Sequence, residues 1–219
     1  MITAAPPSLS DVTQVLARHA PLYRKRKPQY QTTMLGDLAA AWVEPHRHVL
    51  DIGGGTGVLA EAIQILLPAQ EVVSIDVVDR YFKTLAVKTM TFDGTLLPFE
   101  DNSFDAATIN NVMHHVPIDV RPALMREVDR VVTGPIYIKD HLASSALDHV
   151  RLWALDAIGN IPFAGQIEAD YLTMAAWEDL AAVIGRRLTK CEAGVYRKPP
   201  LSAIFPNRLE AVFRFDRNN

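Results

Sequence analysis

Val49-Leu50-Asp51-Ile52-Gly53-Gly54-Gly55-Thr56-Gly57-Val58 is the stretch from which the rest of the chain is read. A short apolar run ends in an acid, and the alternate glycines Gly53, Gly55 and Gly57 follow before a helical pattern begins. That pattern is a buried strand breaking into a glycine-rich turn and then a helix. Glycine is needed where the backbone bends sharply or a ligand comes close, because a Cβ obstructs both. A turn of this kind above a parallel sheet binds a nucleoside-containing cofactor. Which cofactor is left to the other residues.

Outward from the turn, strands and helices alternate. The strand His48 to Ile52 leads to a helix from Val58 to Leu67, which stops at Pro68. A second strand, Glu71 to Ile75, ends in Asp76, and a third, Lys88 to Phe92, ends in Asp93. Phe104 to Ile109 runs into Asn110-Asn111-Val112-Met113-His114-His115, and Ile136 to Ile138 ends in Lys139-Asp140-His141. Asp119 is the expected cap of the intervening helix, with Pro122 in its first turn. Helical segments cover Leu142 to Ile158 and Met174 to Ile184, the second closed by Gly185. Two strand-like runs, Leu188 to Tyr196 and Leu209 to Phe215, form a closing antiparallel hairpin. Alternating βα units call for a parallel sheet with helices on both faces.

Upstream lies an N-terminal helical cap over residues 1–45, with Asp11 as cap of its first helix, and the core occupies 46–219 of a single domain. Arg24-Lys25-Arg26-Lys27, flanked by Tyr23 and Tyr30, is the one dense basic run and reads as a solvated helix face. A net charge of −3 gives no reason to expect nucleic acid or an anionic membrane as partner. The lone Cys191 excludes an internal disulfide framework and a multi-cysteine zinc site. Together with the lack of any membrane-length apolar stretch or signal-like start, this points to a cytoplasmic protein.

Ligands of open parallel sheets lie beyond the C-terminal ends of the strands. The chain places Asp51, Asp76, Asp93, Asn110 with the histidine pair, and Asp140 with His141 at those ends. Asp76 follows Gly57 by 19 residues, near the roughly 20-residue spacing at which an acid meets a ribose diol. Asp93 suits an exocyclic amine such as that of adenine, or caps the turn at Gly94. NAD is disfavoured, since the third position of the dinucleotide fingerprint holds Val58 instead of glycine or alanine.

The D-x-G-x-G-x-G run from Asp51 to Gly57 resembles motif I of class I S-adenosylmethionine-dependent methyltransferases. Val72-Val73-Ser74-Ile75-Asp76 is similar to the family's acid-ended second strand. The segment from Asp93 to Asp105, with Leu97-Pro98-Phe99, resembles its D-x-x-x-L-P-F-x-D-x-S-F-D signature. Asn111 to Val116 resembles the motif after strand four in the small-molecule branch that includes quinone-biosynthesis enzymes. The chain departs from the family's proline-glycine-glycine turn before strand five, reading Thr133-Gly134-Pro135 instead.

The resemblance implies a Rossmann-like, doubly wound α/β sheet of seven strands in the order 3-2-1-4-5-7-6. It implies S-adenosylmethionine as cofactor, held by Asp51, Gly53, Gly55, Gly57, Asp76, Val77, Asp93, Gly94 and Asn110, and a small-molecule methyl acceptor. The alternatives are a catalytically silent cofactor-binding or regulatory protein of the same fold and, less well matched, an NAD-dependent oxidoreductase. His114, His115 and His141 are the candidates for a general base, against the plain reading of pocket-shaping loop histidines. No metal is expected, because the paired Asp-Asn that follows strand five in metal-using relatives is missing. Asp148, His149, Asp156 and Asn160 fall where acceptor contacts lie in this class, or form a buried network. Trp153 is expected in the core, while Phe163 and Tyr171 line a pocket or fill the core.

Overall fold

The glycine turn sits on the middle strand of a seven-stranded sheet in the order β3-β2-β1-β4-β5-β7-β6. The computed structural model describes residues 5–160 and 168–218, without the side chains of 158–160. Strands β1 (His46–Ile52), β2 (Ala69–Asp76), β3 (Lys88–Thr91), β4 (Ala106–Asn110) and β5 (Ile136–His141) are parallel. Strand β7 (Glu210–Arg217) runs antiparallel to β5 and to β6 (Arg186–Cys191). The expected strand order and closing hairpin are both present.

Helices cover both faces because each carries one apolar stripe. Helices α1 (Leu9–Leu16), α3 (Gln29–Ala41) and α4 (Val58–Leu66) bury Val12, Leu16, Leu35, Leu38 and Ile63 on one side. Helix α2 (Leu22–Lys25) is a single short turn carrying Arg24 and Lys25, both exposed. Helices α5 (Arg121–Val131) and α7 (Met174–Val183) bury Leu124, Val128, Trp177 and Leu180 on the other side. Helix α6 (Ala146–Asn160) follows β5, and α8 (Leu201–Ile204) lies in the tail loop. Among the described residues, no helix is long and apolar enough to cross a membrane.

Several local expectations need correction. Ser8, not Asp11, caps α1, and Asp11 returns the bond from the third helical position, so the two form a capping box. Asp119 does not cap α5; Val120 holds that position, with no side-chain bond. Between β2 and β3 the chain runs in turns through Tyr81 and Leu85, as the sequence allows. Helix α6 starts at Ala146, four residues later than its apolar pattern suggested. Strand β5 continues through Lys139, Asp140 and His141, all buried, because β7 pairs with them opposite Val212, Ala211 and Glu210. A run of three charged or titratable residues looks like a strand end, yet each here has a buried partner.

Candidate active site

Between β1 and α4 the backbone takes positive φ at Gly53 (72°), Gly55 (58°) and Gly57 (80°). That is a left-handed conformation that costs an L side chain about 1–2 kcal/mol. A Cβ on Gly53 would lie 2.3 Å from Val112 Cγ2, and one on Gly57 would lie 2.4 Å from Leu85 Cδ1. A Cβ on Gly55 would meet nothing within 4 Å, so the turn opens to free space at that residue. Two of the three glycines are therefore required by packing, and Gly55 by backbone shape beside an open cradle.

Asp51 lies under this turn, 2% exposed. Its carboxylate accepts from Ser74 Oγ (2.9 Å), Thr108 Oγ1 (2.8 Å) and Asn110 Nδ2 (3.4 Å), tying β1 to β2 and β4. Burial pushes its carboxyl up, against those three donors. Asp51 thus positions Asn110 and the turn from beneath. Asn110 Oδ1 is buried and has no hydrogen-bond partner among the described residues. An orphaned acceptor of this kind suits a ligand amine.

Asp76, also buried, accepts from Gly55 N (2.7 Å) through Oδ2 and from Val78 N (3.0 Å) through Oδ1. A carboxylate has about four acceptor positions, so two remain for a diol. Val77 and Leu96 are large apolar side chains left exposed beside it, and a Cβ on Gly94 would touch Val77 Cγ1 at 3.3 Å. Asp93 is exposed, and its Oδ1 accepts from Thr95 N, Thr95 Oγ1 and Leu96 N at 2.8–2.9 Å. These bonds, led by Leu96 N, hold its carboxyl below the usual range. Asp93 therefore caps its own turn through one oxygen. The orphan at Asn110, the open space at Gly55 and the apolar edge at Val77 fit a nucleoside cofactor with an amine at one end.

Beyond β4, Asn111 takes a positive φ of 55° and turns the chain into the 3-10 turn Met113–His115. Asp140 anchors that turn, accepting from Met113 N at 2.9 Å and pairing closely with His114 Nδ1. His114 Nε2 faces Asp156 Oδ2 at 3.3 Å, and His141 Nε2 faces Asp156 Oδ1, also at 3.3 Å. Burial opposes charge on His114, but Asp140 and Asp156 outweigh it and raise its pKa to about 9. Burial likewise opposes charge on Asp140, yet His114 brings it down to about 2. His141 is pushed upward against its burial by Asp156 and Glu210.

The structure thus draws His114 and His141 onto Asp156, while the His115 ring packs against His114, centroids 4.1 Å apart, with its Nδ1 turned elsewhere. His115 Nδ1 donates to the Glu168 carbonyl at 2.8 Å. Because a carbonyl only accepts, that nitrogen carries the proton and Nε2 is the basic one.

A neighbouring set of charges was not legible as a motif. Lys139 Nζ, fully buried, donates to Glu210 Oε2 (2.5 Å), Tyr30 Oη (2.5 Å) and Asn111 Oδ1 (2.9 Å). Arg197 Nη1 reaches Glu210 Oε1 at 2.7 Å. These partners come from α3, β5, the tail loop and β7, so no sequence spacing announces them. Tyr30 stood out only as a flank of the basic run, yet it brings the N-terminal helices to the site.

Next to the 3-10 turn lies a cavity of about 570 Å³ lined by His114, His115, Pro117, Trp153, Glu168 and Asp170 among others. A smaller one of about 280 Å³ adjoins His149, Trp153 and Tyr171. Trp153 lines both and is 55% exposed, which overturns its expected place in the core. Tyr171 is buried and donates to Asp156 at 2.5 Å. Asp148 is a network residue, held by both Arg208 guanidinium nitrogens at 2.7 and 2.8 Å. Phe163 and the side chain of Asn160 lie outside the described residues.

Residues 50–134 match the family described as "Methyltransferase domain". No curated protein matches the chain. Among solved structures, the YcgJ protein of Bacillus subtilis is similar at 20% identity, covering 85% of this chain and 98% of its own, with a TM-score of 0.61. A SAM-dependent methyltransferase of Archaeoglobus fulgidus is similar at 13% identity, covering 89% and 97%, with a TM-score of 0.63. Magnesium protoporphyrin IX methyltransferase of Synechocystis, solved with bound SAH, shares 14% identity over 95% of this chain and 84% of its own, with a TM-score of 0.55. These likenesses establish the fold, and the family match falls on the segment that carries the glycine turn, Asp76, Asp93 and Asn110. Residues 50–134 thus resemble a methyltransferase domain, set in a fold shared with solved methyltransferase structures.

Proposed function

We propose that the chain methylates a small molecule held in the cavity beside the Met113–His115 turn, by in-line transfer. The carrying observation is that cavity, lined by His114, His115 and Pro117 from the turn that follows β4. In this reading Gly53, Gly55 and Gly57 shape the donor's cradle, Asp51 positions Asn110, and Asn110 Oδ1 accepts from the methionyl amine. Asp76 holds the ribose diol, and Val77 with Gly94 bounds the adenine, whose amine meets the second oxygen of Asp93. When bound, S-adenosylmethionine supplies a methyl carbon already activated by its sulfonium.

The protein's contribution is alignment, with reacting atoms about 3–3.5 Å apart in a site screened from water. His115 lines the cavity and is the histidine placed to take a proton from an acceptor that arrives as a hydroxyl. Glu168 and Asp170 at the cavity rim are acidic, which disfavours a phosphate backbone and supports a small molecule over nucleic acid. A soluble acceptor and a cytoplasmic setting are part of the same proposal.

The test is transfer of labelled methyl from S-adenosylmethionine into a fractionated cell extract. Label is expected in the small-molecule fraction. Label confined to protein or nucleic acid, or no label despite S-adenosylhomocysteine binding, would contradict the reading; the second result identifies a silent binder.

A further inference from the structure

His114 at the end of the 3-10 turn, His141 at the end of β5 and Asp156 on α6 converge, their ligand atoms all within 4.8 Å of one another and their side chains buried. Each histidine turns Nε2 toward a different oxygen of Asp156, at 3.3 Å in both cases. Each also presents Nδ1 to a second carboxylate, His114 to Asp140 and His141 to Glu210 at 3.3 Å. Tyr171 fixes Asp156 from the side at 2.5 Å.

We propose that His114 Nε2, His141 Nε2 and an Asp156 carboxylate oxygen bind a divalent first-row metal ion at the base of the acceptor cavity. Two imidazoles and one carboxylate on one side of a site are a ligand set for such ions, with open positions left over. Carboxylates on the outer ring nitrogens are the usual supports of metal-binding histidines, since they fix the proton on Nδ1 and aim the Nε2 lone pair inward. His114 Nε2 stands 3.3 Å from an Asp156 oxygen and makes no hydrogen bond among the described residues, a place that a proton or a metal cation can take.

Three buried carboxylates, Asp140, Asp156 and Glu210, surround the two histidines, with Lys139 and Arg197 as the buried bases beside them. Ligands about 2.1 Å from a metal sit roughly 3–3.4 Å apart; each histidine has that spacing to one Asp156 oxygen, and the set as a whole lies within 4.8 Å. The expectation of a metal-free site came from a missing motif after strand five. Here the ligands come instead from three separate elements.

His114 lines the larger cavity, so the open metal positions face the acceptor. With both histidines neutral, a divalent ion makes the cluster net positive and selects an acceptor that offers an anionic oxygen, such as a phenolate or enolate. This choice of acceptor class rests on the methyl-transfer reading; the metal site does not.

The test is titration of the metal-stripped full chain with Co²⁺, followed by d–d absorption and calorimetry. One equivalent should bind, with the ligand-field bands of nitrogen and oxygen coordination. Asp156→Asn and His141→Gln should each abolish those bands, His115→Gln should keep them, and Asp140→Asn should weaken binding about 10–100-fold. Far-UV circular dichroism and S-adenosylhomocysteine binding report whether each variant is folded. Absence of saturable binding to the wild type overturns the proposal, as does equal affinity in a folded Asp156→Asn or His141→Gln. A positive metal result with no methyl transfer would leave this site standing and sink the proposed reaction.

Discussion

Gly55 and Gly185 make a natural pair of controls. Both take a left-handed φ, 58° and 64°, and neither has an atom within 4 Å of where a Cβ would go. Alanine at either position should therefore cost a similar, small amount of stability, about 1–2 kcal/mol by the chirality penalty. Gly55→Ala, however, also fills the cradle under Asp76. It should abolish S-adenosylhomocysteine binding, while Gly185→Ala binds as the wild type does; thermal melting and calorimetry read the two effects separately. Equal binding by both variants would mean that the open space at Gly55 is not the donor site. The glycine turn was legible because it needs backbone freedom, and Asp76 because an acid ends the second strand, where it accepts from Gly55 N. What Asp51 does was not legible: it lies beneath the turn and touches Ser74, Thr108 and Asn110, contacts that only strand pairing creates.

Helix α6 is held at its first turn by an ion pair in which Asp148 is fully buried and a half-exposed Arg208 grips it with both guanidinium nitrogens. Arg208, with Ser144 N and Ser145 against burial, holds the Asp148 carboxyl well below its usual range. A depressed carboxylate contributes stability that is fully present above the unfolded value, about 3.9, and is lost as pH falls through the lower folded value. Arg208→Ala should therefore lose about 1–3 kcal/mol, a difference from wild type that is constant between pH 5 and 8 and shrinks below about pH 4. Urea denaturation at several pH values checks this. A difference that grows toward acid pH would mean the pair does not set the helix start. The pattern of α6 suggested a start at Leu142, since an apolar stripe shows which face is buried but not which distant base anchors the end. Trp153 was misplaced for the same reason: a tryptophan at helical spacing reads as core, and only the packing shows that it faces the cavities.

Over the whole molecule, the Lys139–Glu210 pair joins the N-terminal helices to the far half of the sheet, with Tyr30 from α3, Asn111 after β4 and Arg197 from the tail converging on it. Breaking a buried pair from one side strands a charge, so Lys139→Met should destabilise the chain by about 3 kcal/mol or more, visible as a lower denaturation midpoint. A change under 1 kcal/mol would show that the pair does not hold the halves together. The parallel sheet with covering helices was legible from alternating apolar runs, because each strand needs a helix to cover it, and its strand order came from the family resemblance. The charge network was not, because its members lie at positions 30, 111, 139, 197 and 210 and share no period. Network and cradle meet at the C-terminal ends of β4 and β5, where donor and acceptor would come together. The donor site is the centre of the account, and calorimetric titration with S-adenosylhomocysteine and with NAD tests it most directly. The wild type should bind one equivalent of S-adenosylhomocysteine and no NAD, and Asp76→Ala should bind it at least about tenfold more weakly, as expected for losing hydrogen bonds to a charged group; NAD binding, or wild-type affinity in Asp76→Ala, would contradict it.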